Sequence, residues 1–203
     1  MSEDKVSYYD NFSEIEKKLW DLLTAAVKDR SSEFRTPAFI CGNEGDLDGR
    51  IVVLRKVDQK KIFIQFHSDI RSSKIEKIKK NPNCSLLFYG KKEKIQLRLK
   101  TECEINFKNT ITKESWKNTG HISRKCYLVE NAPGTISEKP TSGLNTRFNN
   151  FDFTKKESES GYENFSVIKC KIKSIEWLYL AAKGHRRALI DFKETKKFTW
   201  LIP

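Results

Sequence analysis

The residues best able to do chemistry fall in three short segments: Arg50-Ile-Val-Val-Leu-Arg55, His67-Ser-Asp-Ile-Arg-Ser-Ser-Lys74, and a strand-like stretch carrying Gln96. In the second, Ser72 and Ser73 stand with Arg71 and Lys74 where a strand gives way to a helix. The free N–H groups and positive dipole end of a helix attract an anion, and the two cations add to that field. Phosphate binding is the chemistry this arrangement points to. A serine cap with solvated basic neighbours explains the same segment taken alone. Arg50 and Arg55 are equally open, because inward arginines on strands are costly to bury while edge arginines are common. No Ser/His/Asp or Cys/His nucleophilic arrangement stands out among His67, His121 and His185. Cys41, Cys84, Cys103, Cys126 and Cys170 are widely spaced, with no CxxC pair and no Cys/His cluster of metal-ligand spacing. They read as reduced, structural thiols, and no metal is expected.

These segments need elements to position them. Residues 13–30 read as a helix: Ser13 and Glu16 have capping-box spacing, and Ile15, Leu19, Leu22, Leu23, Ala26 and Val27 recur at helical intervals. Short β-rich segments follow at Phe34–Gly42, Arg50–Val57, Lys61–His67, Cys84–Tyr89 and Lys94–Phe107, several separated by turn-like stretches such as Gly42–Gly49. Ile95 to Lys100 alternates apolar and polar residues strictly, as a strand with one buried face does. A short helix starts at Ser72 or Ser73 and stops at Asn81-Pro82-Asn83, and another is expected over Thr112–Asn118. Residues 131–162 collect Pro, Gly, Ser and Asn and read as a long loop or lid, with Lys155–Gly161 its most mobile part. Strands return at Phe165–Leu180, Arg186–Phe192 and Lys197–Ile202. The spacing predicts an antiparallel meander or small barrel in one domain spanning 1–203.

Composition narrows the function classes. The chain has 203 residues with 39 Lys+Arg and 27 Asp+Glu, a formal charge of +12. Its apolar runs are far shorter than the roughly 20 residues a membrane-crossing helix needs. No signal peptide is visible at the amino end, so a cytoplasmic location is expected. The lysines come in short clusters rather than one basic tail, which reads as a solvated surface. A nucleic-acid or polyanion partner stays as a minor alternative, since folding can gather scattered lysines on one face. No zinc finger, RNP-like motif or GXXG loop supports it.

Five pieces in order, RIVVLR (50–55), FHSDIRSSK (66–74), NPNCSLLF (81–88), IQLRL (95–99) and IEWLYLAAKGHRRALIDF (175–192) with a terminal Trp200-Leu-Ile-Pro203, resemble the FMN-binding split-barrel proteins related to pyridoxamine 5′-phosphate oxidase. The resemblance implies a mainly antiparallel β-barrel with flanking helices, acting as a homodimer with FMN at the subunit interface. It also implies the roles of particular residues. Arg50, Ser72, Ser73, Lys74 and Arg71 would bind the FMN phosphate; backbone groups of Val52, Val53 and Leu54 would line the isoalloxazine ring; His67 and Ser68 would meet the ribityl chain or ring edge. Gln96 would reach the flavin from the second subunit, and Leu178 or Trp177 with Arg186 or Arg187 would close the site. Arg55, Arg124, His185 and Arg186 are the candidates for substrate contact. The implied activity is that of an FMN-dependent oxidoreductase of pyridoxamine or pyridoxine 5′-phosphate oxidase type. The stretch 114–137 departs from the oxidase pattern: Ser123, Arg124 and Tyr127 offer the expected groups at different spacing. A divergent branch, including a stress-related FMN-binding module with no B6 substrate, is the alternative.

Overall fold

The computed structural model describes residues 8–148 and 153–203. The sequence readings that fall on 1–7, and on 149–152 of the long loop, lie outside the described residues. The first long element is helix α1, Phe12–Ala26. Its cap is Asn11 rather than Ser13: the Asn11 side chain accepts the Glu14 N–H at 3.2 Å, and the helix ends four residues before the expected limit. Ile15, Leu19, Trp20, Leu23 and Ala26 are buried, so one apolar stripe of α1 closes the main core.

Among the described residues, nine antiparallel strands form the sheet: β1 Ala38–Asn43, β2 Asp46–Ile51, β3 Leu54–Asp58, β4 Phe63–Asp69, β5 Asn83–Gly90, β6 Ile95–Phe107, β7 Phe165–Tyr179, β8 Arg186–Asp191 and β9 Lys197–Leu201. The order is β2-β1-β5-β6-β7-β4-β3, with β8 leaving β7 and carrying β9. The long strand β7 explains the branching. Its first half, Phe165–Lys171, pairs with β4, and its second half, Ser174–Tyr179, pairs with β8. The sheet therefore curls around its core without closing, which is the split-barrel architecture.

The expected turn over Gly42–Gly49 is instead a β1–β2 hairpin. Asn43 faces Asp46, leaving Glu44-Gly45 as the two-residue turn. Gly45 takes φ +80°, a conformation that glycine adopts without the clash a side chain would bring. Arg50 consequently sits near the end of β2, and Arg55 on β3. Helix α2, Ser73–Lys80, follows β4 and ends at the Asn81-Pro82 stop as predicted. Helix α3, Thr110–Lys117, starts at a reciprocal Asn109–Thr112 capping box, and the short α4 spans His121–Arg124. Trp116, Tyr127, Phe165 and Val167 form a second apolar cluster that fastens this helical layer to the sheet.

Much of Lys155–Gly161, the part of the loop expected to be most mobile, has regular structure. Glu157–Asn164 is a 3₁₀ segment with Ser158 and Gly161 buried, and Glu159 accepts from Trp116 Nε1 at 2.8 Å and from Arg124 Nη1 at 2.6 Å. No helix among the described residues is long and apolar enough to cross a membrane.

Candidate anion cradle and adjoining cavity

The end of β2, the end of β4 and the start of α2 meet at one point. There Lys74 Nζ donates to Ser72 Oγ at 2.8 Å and to Ser68 Oγ at 2.9 Å. Arg50 donates to Ser72 Oγ at 3.4 Å and to Ser73 Oγ at 3.3 Å, and pairs with the Asp48 carboxylate. Ser72 stands at the cap position of α2 but makes no side-chain cap bond, so the helix's amino end lacks a side-chain acceptor. Arg50 Nε is buried with no partner. Burial, then the charge of Arg50, pushes the Lys74 ammonium down to about 8. Two crowded cations, three hydroxyls and an uncapped helix end against one carboxylate form a cradle suited to a phosphate.

Arg71 is not presented to this cradle. Its guanidinium grips Asp69 through Nε at 3.1 Å and Nη2 at 2.8 Å, and donates to the carbonyls of Val129 and Glu130. It ties the loop after α4 to the β4–α2 junction. Beside the cradle, Val52 and Leu54 are buried and Val53 half-buried as the chain passes from β2 to β3.

Along β4 the period of two puts Phe63, Gln65 and His67 on the outer face, toward α3 and α4. A cavity of about 560 Å³ lies there. Arg55, His67, Gln65, Ser115, Asn118 and Ser123 are among its walls. His67 packs edge-on against Phe165 at 4.8 Å. Burial and the neighbouring charge of Arg55 pull its pKa down to about 3, so the ring is neutral at ordinary pH. Burial also lowers the pKa of Arg55, and among the described residues this guanidinium has no ion-pair or hydrogen-bond partner. A second cavity of about 850 Å³, under residues 129–144, shares Arg55 and Ser123. The sequence reading missed Gln65, Ser115 and Asn118; the alternation of Phe63, Gln65 and His67 was the available signal for Gln65.

The remaining candidates lie elsewhere. Gln96, Leu178 and Arg187 are neighbours in register across β6, β7 and β8, on the sheet's outer face, and share no hydrogen bond or ion pair with the cradle. Arg187 is held by Glu176 at 2.9 Å. Trp177 points the other way, fully buried between Leu97 and Ala188, so of the Trp177/Leu178 alternatives only Leu178 shares the face of Gln96. Arg186 binds Asp10 at 2.6 Å and lies over the Tyr9 ring, while His185 Nδ1 accepts the Ala181 N–H. Arg124, 1% exposed, is spent on Glu159, Ser158 and the carbonyls of Thr119 and Trp116. Of the four substrate-contact candidates, only Arg55 opens into the cavity beside His67.

The fold and the cradle together define a class. Residues 17–106, which include the whole cradle, match the family described as pyridoxamine 5′-phosphate oxidase, FMN-binding domain. The resemblance read from the sequence is borne out over this stretch. The fold matches a pyridoxamine 5′-phosphate oxidase-related, FMN-binding protein from Nostoc punctiforme (TM-score 0.72, 14% identity, 92% of this chain and 97% of that one). It also matches PhzG from Burkholderia lata, solved with tetrahydrophenazine-1-carboxylic acid (0.70, 14%, 97% and 96%). A protein from Clostridium acetobutylicum related to general stress protein 26 aligns with TM-score 0.52 at 11% identity, over 92% of this chain and 95% of that one. No curated protein matches by sequence.

Proposed function

We propose that this chain is one FMN-binding split-barrel domain acting as an FMN-dependent oxidoreductase on a small anionic substrate. The observation that carries the proposal is the Arg50–Ser72–Ser73–Lys74 cradle, with its orphaned Arg50 Nε and uncapped helix end. These residues suit the FMN phosphate: Arg50 and Lys74 supply charge, and the serine hydroxyls and leading α2 N–H groups supply hydrogen bonds. Bound FMN would supply two-electron redox chemistry, which the side chains of this site lack. The backbone of Val52, Val53 and Leu54 would border the ring, with His67 and Ser68 along the ribityl chain. Arg55 would hold an anionic group of the substrate in the cavity beside neutral His67.

Gln96, Leu178 and Arg187 would complete the site from a second subunit. Supporting this, the outer sheet face that carries them also exposes Leu87 and Tyr89. A B6 phosphate is the first substrate to test, with dioxygen as electron acceptor. The structural commitment of Arg124 favours a second reading, an FMN-binding module without B6 oxidation, because it withdraws an expected substrate contact. Oxygen uptake by the FMN-loaded protein with pyridoxamine 5′-phosphate separates the two. Turnover that falls in Arg55→Gln supports the oxidase reading, and no turnover overturns it in favour of the module.

A further inference from the structure

The cavity beside Arg55 carries more positive charge than one phosphate requires. Its walls hold Arg30, Arg55, Lys56, Lys61 and Lys169 against one carboxylate, Glu114. Of these five cations, only Lys169 has an acidic partner among the described residues, Glu104 at 3.9 Å. Arg30, Lys56 and Lys61 are exposed, but their gathering with Arg55 and Lys169 around one concavity concentrates a positive field there.

The strand register resolves the charge into two poles. Lys56, Gln65 and Lys169 form one row across β3, β4 and β7. Lys56 Nζ and Lys169 Nζ both lie over the Phe63 ring, at 5.9 and 5.0 Å. Lys61 joins them just before β4. The other pole is Arg55, next to Lys56 on β3 but with its charge acting on His67, which lies four residues beyond Phe63 on the same face of β4. At about 3.3 Å per residue, Phe63 and His67, which mark the two poles, stand roughly 13 Å apart along β4. Between them, Gln65 is 5% exposed, lines the cavity, and its amide has no hydrogen-bond partner among the described residues. The amide opens to the cavity, where it can donate to or accept from a polar group.

We infer that this cavity takes an elongated dianion: a small organic molecule with anionic groups at both ends, such as a bisphosphate or a phosphate ester bearing a distant carboxylate, and a polar middle that meets Gln65. That this ligand is the substrate of the flavin rests on the proposed function; that it binds here does not. One charged end would lie against Arg55 and the other on the lysine pole over Phe63.

The test is calorimetric titration at fixed ionic strength with alkane-α,ω-bisphosphonates of increasing length, against propylphosphonate as the single-anion reference. The FMN-loaded protein and the Lys74→Met variant, whose cradle is weakened, are titrated in parallel. One member of intermediate length is expected to bind about tenfold or more tightly than propylphosphonate in both. The double variant Lys61→Gln/Lys169→Gln should lose that preference and keep its affinity for propylphosphonate, while Arg55→Gln weakens both ligands. No preference for any length, or a preference that survives in the double variant, overturns the inference. Failure of the wild type to load FMN sinks the flavin reading instead, and the Lys74→Met titration still decides this one.

Discussion

Replacing Lys74 by methionine should move ligand affinity and intrinsic stability in different directions. In the cradle the ammonium is crowded by Arg50 and partly desolvated, and its pKa falls from 10.5 to about 8. At 1.36 kcal/mol per pH unit that corresponds to a strain of up to about 3 kcal/mol. Partial solvent access reduces it to roughly 1–2 kcal/mol. The sign is that of a base whose folded pKa is depressed. The cost is fully present below pH 8 and is relieved as pH rises toward 10.5. Methionine removes the charge, keeps most of the volume and gives up two hydrogen bonds to serine hydroxyls, so at pH 7 the ligand-free protein should melt at the wild-type temperature or above. Binding responds oppositely. A charge-assisted bond to phosphate contributes about 1.5–3 kcal/mol, so FMN affinity should fall roughly 10- to 150-fold. In the wild type, affinity should also decline as pH rises above about 8, where free Lys74 loses its proton, and this limb should vanish in the variant. Flavin-fluorescence titration and thermal melts with and without FMN read both effects. Wild-type FMN affinity in Lys74→Met would refute the cradle assignment, and a strongly lowered melting temperature of the ligand-free variant would refute the electrostatic reasoning.

Other outcomes follow from the same structure. His67 has a folded pKa near 3 against an ordinary 6.5, so the unfolded chain takes up a proton that the folded one refuses. Stability should fall as pH drops from 6.5 toward 3, by up to about 1.4 kcal/mol per pH unit, and urea denaturation of His67→Gln should lack this component. Arg124→Met should cost about 3 kcal/mol by leaving the carbonyls of Trp116 and Thr119 and the Ser158 hydroxyl unpaired, while FMN affinity stays within threefold, about 0.7 kcal/mol; a large loss of affinity would return Arg124 to the site. Leu87→Glu on the outer sheet face should convert the expected dimer to monomer in analytical ultracentrifugation and weaken FMN binding together. An intact dimer would exclude this face as the interface.

Much of the cradle was legible because its signals are local. Ser72, Ser73 and Lys74 fall within one helix start, and the Asn81-Pro82 stop fixes where that helix ends. Arg50 could be joined to them only through the family resemblance, since its strand β2 is polar and edge-lying: Asp46, Asp48 and Gly49 carry no apolar alternation. Parity failed at Ile175-Glu-Trp-Leu-Tyr, where apolar residues fall on both faces. Only the register against Leu97 and Ala188 sends Trp177 inward and Leu178 outward. The partners of Arg124 and Arg71 were illegible for a different reason. Besides near neighbours such as Asp69 and Trp116, these arginines bind Glu159 for one and the carbonyls of Val129 and Glu130 for the other, 35 to 59 residues away and beyond any local pattern.

The most direct test is the absorption spectrum of the purified protein before and after incubation with FMN, followed by release and identification of the bound chromophore. The cradle predicts a yellow protein with the paired near-ultraviolet and blue bands of an oxidised flavin, which releases FMN and retains little of it when Lys74 is replaced. A protein that stays colourless after FMN is added would contradict the flavin assignment and leave the anion-binding surfaces to be explained by another ligand.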